Sequence, residues 1–125
     1  MKYTINIDHQ LKLIRYKHPG VILAEDIEQA WGEFLTMEEF TRGKYNLFSD
    51  YGNGKFEIPV EHIPEIIEFM RKIETVVRGK KQALIVDDPY SVAGSMLFRS
   101  KVYEEVGFNV EVFTTEQAAL SWLCR

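Results

Sequence analysis

The apolar positions change period several times along the 125 residues, and each change marks a new element. Tyr3, Ile5 and Ile7 alternate with Thr4, Asn6 and Asp8, the period of two expected of a strand with one wet face. Leu11, Leu13 and Arg15 alternate with Lys12, Ile14 and Tyr16, and the short Asp8-His9-Gln10 connection suits an antiparallel hairpin. Pro19-Gly20 breaks the pairing. From Ala24 the period becomes helical, with Ile27, Ala30, Trp31, Phe34 and Leu35 on one face and the acids Glu25 and Asp26 in the first turn. Thr36 and Glu39 have the spacing of a capping box, which predicts a further turn anchored by Phe40.

The second half alternates strand and helix. Tyr45 to Asp50 reads as a short central strand, followed by the turn Gly52-Asn53-Gly54 and a loop. Pro64 suits the first position of a helix with the stripe Ile63, Ile66, Ile67, Met70, Ile73 and Val77, which Gly79 is placed to end. Ala83 to Val86 is a continuous apolar run, as in a strand covered on both faces, and stops at Asp87-Asp88-Pro89 before a helix that ends near Gly107. Phe108 to Phe113 is the last strand. Thr114, with Gln117 three residues on, is the expected N-cap of a closing helix that buries Ala118, Ala119, Trp122 and Leu123. The predicted order is β-β-α-β-α-β-α-β-α, an α/β domain with a mixed sheet backed by helices and no interdomain linker, so residues 1–125 are expected to form a single domain.

Composition narrows the class. With 46% hydrophobic and 27% charged residues, the chain resembles an ordinary globular domain. The single cysteine, Cys124, fits a reducing compartment, and the N-terminal residues lack the apolar block of a signal peptide. No apolar run approaches the ~20 residues of a membrane helix. A cytoplasmic location without a membrane span is the expectation. The net charge of −4 and the scattered bases argue against nucleic acid as a partner. Arg78, Lys80 and Lys81 form a small basic knot best explained as helix-end charge.

Candidate chemistry is sparse. Loops beyond the C-terminal ends of parallel strands form the usual crevice for ligands, which selects Asp50, Tyr51, Asn53, Asp87, Asp88, Tyr90, Ser91, Thr114 and Thr115. Capping and turn roles are the favoured reading for most of these. Asp87 and Asp88 imitate the acidic pair of a receiver domain, but the chain after them is too short for the phosphoacceptor strand and the lysine that follow. Adjacent carboxylates diverge, so strand-end and capping roles are favoured over a metal site. Gly52-Asn53-Gly54-Lys55 lacks the spacing of a phosphate loop. His9, His18 and His62 have no partner at a ligand spacing and read as surface residues, and no nucleophile elbow is present. No catalytic residue, metal or cofactor is therefore assigned. Two readings stay open for Ser91-Val92-Ala93-Gly94-Ser95: capping with tight packing, or close approach of a ligand or partner. Trp31, Phe34, Phe40, Phe69 and Met70 are read as core, with an apolar cavity as the alternative.

The leading hairpin, Gly20-Val21-Ile22 entering a helix with Glu25-Asp26, the strand ending Ser49-Asp50-Tyr51, Ala83 to Val86, and Val110-Glu111-Val112-Phe113 before Glu116 to Leu123 together resemble the SpoIIAA-like group of STAS domains, which is similar in fold to the lipid-carrying CRAL-TRIO domains. The resemblance implies a noncatalytic module that binds a protein partner, a nucleotide or an apolar ligand. The phosphorylatable serine of anti-sigma antagonists has no counterpart, since Asp50 to Val60 contains no Ser or Thr. The expected function is thus a protein interaction or regulatory module. A carrier of a small apolar molecule or lipid comes second, and a small enzyme at the acidic strand ends third. A homodimer through Phe113 and Tyr16 is a further expectation.

Overall fold

The computed structural model describes residues 2–125. The chain runs through β1 (Thr4–Asp8), β2 (Leu13–Lys17), β3 (Gly20–Ile22), α1 (Ala24–Phe34), α2 (Glu38–Thr41), β4 (Asn46–Asp50) and β5 (Gly54–Phe56). A 3-10 turn (Val60–His62) then leads into α3 (Ile63–Lys72), α4 (Glu74–Val77), β6 (Lys81–Ile85), α5 (Pro89–Val106), β7 (Asn109–Phe113) and α6 (Glu116–Leu123). The main sheet has five strands in the order β1-β2-β4-β6-β7. β1 is antiparallel to β2, with Ile5 opposite Tyr16, and every later pair is parallel. The mixed sheet and its helices give the α/β fold expected.

Strand order follows chain order, so the crossovers wind one way and leave their helices on the same face. That face holds the large core, where Ile14, Tyr16, Leu47 and Leu84 of the sheet meet Trp31, Phe34, Phe40, Ile67, Met70, Val102 and Val106. The alternate strand positions Leu13, Phe48, Ala83 and Ile85 point to the other face, where α6 covers them with Ala119 and Leu123.

Several expectations need correction. The hairpin turn is longer than predicted, and Lys12 within it takes a left-handed φ of 58°. Tyr16 is not on an outer face: α1 and β1 enclose it, its ring 5.7 Å from Phe34, so it offers nothing to a dimer contact, and Phe113 packs on Trp122. His18 is fully buried rather than superficial. The Thr36–Glu39 capping box does not form, because α2 starts after Met37 and the Thr36 hydroxyl donates to the Glu33 carbonyl. The long helix breaks at Ile73, where φ is −112° and ψ 23°. Thr115, not Thr114, caps α6 by accepting from the Ala118 amide. Arg78 pairs with Glu74 on its own helix, whereas Lys80 reaches across to the carbonyls of Gly43 and Tyr45.

The largest departure is a second, two-stranded parallel sheet of β3 and β5, pairing Gly20 with Gly54 and Ile22 with Phe56. Gly54 has no room for a side chain, since a Cβ would lie 2.8 Å from the His18 carbonyl oxygen and 2.9 Å from that of Tyr51. This ribbon carries Phe56 and Ile58 over the C-terminal ends of β4 and β6, and there they wall a cavity.

Candidate functional site

The parallel registers align Lys17, Asp50, Ile85 and Phe113 along one edge of the sheet, the edge from which the candidate loops emerge. Its residues divide among different tasks. Asp50 accepts from the Gly52 amide, and exposed Asn53, at a left-handed φ of 62°, accepts the Gly20 amide on its carbonyl. Asp88 caps α5: its Oδ2 accepts from the Ser91 amide at 3.0 Å and from the Ser91 hydroxyl at 3.1 Å. Buried Ser91 in turn accepts from the Phe56 amide at 3.0 Å, which ties the small sheet to α5. Asp87 and Thr114 are exposed, and Thr115 belongs to α6 on the opposite face. Only Tyr51 and Tyr90 line the cavity. Among the described residues, no three His, Cys, Asp or Glu side chains come together as a metal-ligating group.

The cavity is half-open and measures about 170 Å³. Ile27 and Trp31 of α1 and Ile66 and Met70 of α3 form two walls, and Phe56 and Ile58 form a third. The fourth is α5, where Ala93, Gly94 and Ser95 leave space that larger residues would fill. Tyr51, Gln82 and Leu84 supply the floor, and the half-exposed Val60, Tyr90 and Leu97 surround the mouth. No lining side chain carries a charge.

Against this apolar lining, two buried polar atoms stand out. Gln82 is buried in the middle of the sheet and donates from Nε2 to Ser49 Oγ at 3.0 Å, but its Oε1 has no partner among the described residues. Ser95 Oγ on the facing helix is buried and unpartnered as well. Buried polar atoms are ordinarily hydrogen-bonded, because a lost partner costs about 1–3 kcal/mol. Beside them, burial pushes the Tyr51 phenol well above its ordinary range, so it stays protonated.

A ladder of edge-to-face aromatic rings runs from β1 to the cavity wall, with centroids 5.2 Å apart for Tyr3 and Tyr16, 5.6 Å for Tyr16 and Tyr51, and 4.9 Å for Tyr51 and Phe56. Burial and the Glu33 carboxylate 2.5 Å away push the Tyr3 phenol up to about 12. Tyr16 shares a 2.8 Å hydrogen bond with His18 Nδ1, while His18 Nε2 is unpartnered. Burial holds the imidazole below its ordinary value, against the opposing pull of the Asp26 carboxylate. Burial alone would raise Asp26, but the Leu23 amide and the Lys2 ammonium keep it ionised below the usual carboxylate range.

Sequence reasoning did not select Gln82 or Ser95. A signal existed: Gln82, Leu84 and Val86 share one strand face, so an amide sits where the pattern calls for an apolar residue. The small residues Ala93, Gly94 and Ser95, for which tight packing and ligand approach are both open readings of the sequence, border the cavity.

No protein-family model matches the chain, and no curated protein is similar to it in sequence. Among solved structures, it is similar to an uncharacterized protein of the DUF3478 family with a SpoIIAA-like fold from Shewanella loihica PV-4. The similarity covers 98% of this chain and 94% of that one, with a TM-score of 0.62 at 16% sequence identity. The chain therefore has a SpoIIAA-like, STAS-type α/β fold. No helix among the described residues is long and apolar enough to cross a membrane.

Proposed function

We propose that this chain is a noncatalytic binding module, acting as one domain, whose ligand is a small uncharged molecule held in the cavity between the sheet, α1, α3 and α5. The observation that carries this reading is an apolar lining without a single charged side chain around about 170 Å³ of space. An apolar cavity of about 150 Å³ is known to take up benzene, so the size suits a single ring or a short branched chain and falls well short of a long acyl lipid. The carrier reading thus moves ahead of the protein interaction reading, on a smaller cargo. The cavity holds no carboxylate, lysine or histidine, and its buried Tyr51 phenol is held protonated, which favours binding over catalysis. The free, exposed thiol of Cys124 supports a reducing compartment, in keeping with the cytoplasm.

A second reading rests on the apolar mouth: Tyr90 is 49% exposed, Leu97 47% and Val60 46%, and a partner's side chain could plug into such a rim. Native mass spectrometry after gentle purification separates the two. A small-molecule mass excess that disappears on denaturation supports the cavity ligand, whereas a retained protein and an unoccupied cavity would favour the interaction module.

A further inference from the structure

The floor of the cavity narrows the ligand further, and this step rests on the cavity reading above. Gln82 Oε1 can only accept, so what completes it must donate; Ser95 Oγ can do either. Both atoms are buried in residues only 3% exposed, and both residues line the same cavity, one from β6 and one from α5. A hydroxyl meets both needs with one oxygen, giving its proton to Gln82 and accepting one from Ser95. An ether or ketone cannot serve Gln82, and a hydrocarbon leaves both atoms unsatisfied. A carboxylate or phosphate finds no cation in the lining and would be desolvated without compensation. We propose that the cavity is selective for neutral hydroxyl compounds, with an apolar body of about one ring against Trp31, Ile66 and Met70 and the hydroxyl bound between Gln82 and Ser95.

Four probes of nearly equal shape test this: p-cresol, toluene, 4-methylanisole and 4-methylbenzoate, each titrated into the full chain and followed by amide and indole resonances in two-dimensional NMR. The expected order is p-cresol tightest, by about tenfold or more over toluene and over 4-methylanisole, with 4-methylbenzoate not binding. Ser95→Ala and Gln82→Met should reduce the p-cresol preference to within about threefold while toluene affinity stays equal or improves. Ser95→Ala changes one small side chain and guards against a Gln82→Met protein that fails to fold. If toluene and p-cresol bind equally, or the preference survives in Ser95→Ala, the hydroxyl selectivity is overturned and the cavity reading stands. If none of the probes binds, both fall together.

Discussion

The Tyr90 hydroxyl donates to the Ile58 carbonyl over 2.8 Å and so ties the first turn of α5 to the segment that walls the cavity. Removing that hydroxyl in Tyr90→Phe should cost less than about 1 kcal/mol of global stability, because the bond is exposed. Hydrogen exchange should nonetheless quicken selectively at residues 57–60. Exchange that stays as in the wild type would mean that packing alone holds this wall.

Ser91 does more than its neighbour Asp88, because its one oxygen serves both the helix cap and the Phe56 amide. Ser91→Ala leaves that amide without its acceptor and should cost about 1–3 kcal/mol. Asp88→Ala loses the cap and the acceptor of the Ser91 hydroxyl, which can turn elsewhere, but leaves the Phe56 amide its acceptor, and should cost about 1 kcal/mol. Urea midpoints of the two variants decide the ranking, and equal losses would show that the link from Ser91 to Phe56 contributes little.

Gly54→Ala tests the small parallel sheet. A methyl group there collides with backbone oxygens of His18 and Tyr51, which cannot swing aside as a side chain would. A loss of about 1–3 kcal/mol is expected. The same change at Gly32, where a Cβ meets nothing within 4 Å, should be neutral or stabilising. Thermal denaturation of the pair gives the comparison directly.

Acid should weaken the fold through His18. Its native value lies below the ordinary 6.5, so the folded chain holds it neutral and the unfolded chain takes up the proton first as pH falls. The stability it contributes is complete above about pH 6.5 and is lost as pH drops below that value, at no more than about 1.4 kcal/mol per pH unit. Nearby Asp26, held below the usual carboxylate range, stays ionised through this window and does not mask the effect. Urea titrations at pH 7.5 and 5.5 should show a larger acid loss in the wild type than in His18→Gln. Equal losses in the two proteins would assign the acid sensitivity elsewhere.

The main elements were legible because their apolar periods are long and unbroken, as in Ala83 to Val86 or the stripe from Ile63 to Met70. Two kinds of feature were not. β3 and β5 are too short to show a period, and their glycines look like turn residues; only the close approach of Gly54 to two carbonyl groups reveals why a side chain is missing there. Burial at the end of β2 was hidden for another reason. His18 stands outside the strand and before a proline, yet the ribbon and α1 enclose it, a long-range effect that no local pattern carries. Of the strand-end residues selected from sequence, Tyr51 and Tyr90 line the cavity, while Ser91 serves the α5 cap and the Phe56 amide. Gln82 and Ser95 were missed because they come to line one cavity only through the tertiary packing of α5 and the sheet.

The cavity itself is tested most directly by filling it. A Cβ added at Gly94 meets nothing within 4 Å, and the position lies inside α5 on the cavity lining, so Gly94→Leu should gain up to about 1 kcal/mol of helix propensity while filling part of the cavity. Loss of binding could then not be blamed on unfolding. p-Cresol is titrated into wild type and Gly94→Leu, and the indole resonances of Trp31, at the cavity, and Trp122, on the opposite face, are followed together. The expected result is a saturable shift of Trp31 with Trp122 unmoved in the wild type, and no shift of either in Gly94→Leu. A Trp31 resonance that never moves, or that moves alike in both proteins, would contradict a ligand cavity between α1, α3, α5 and the sheet.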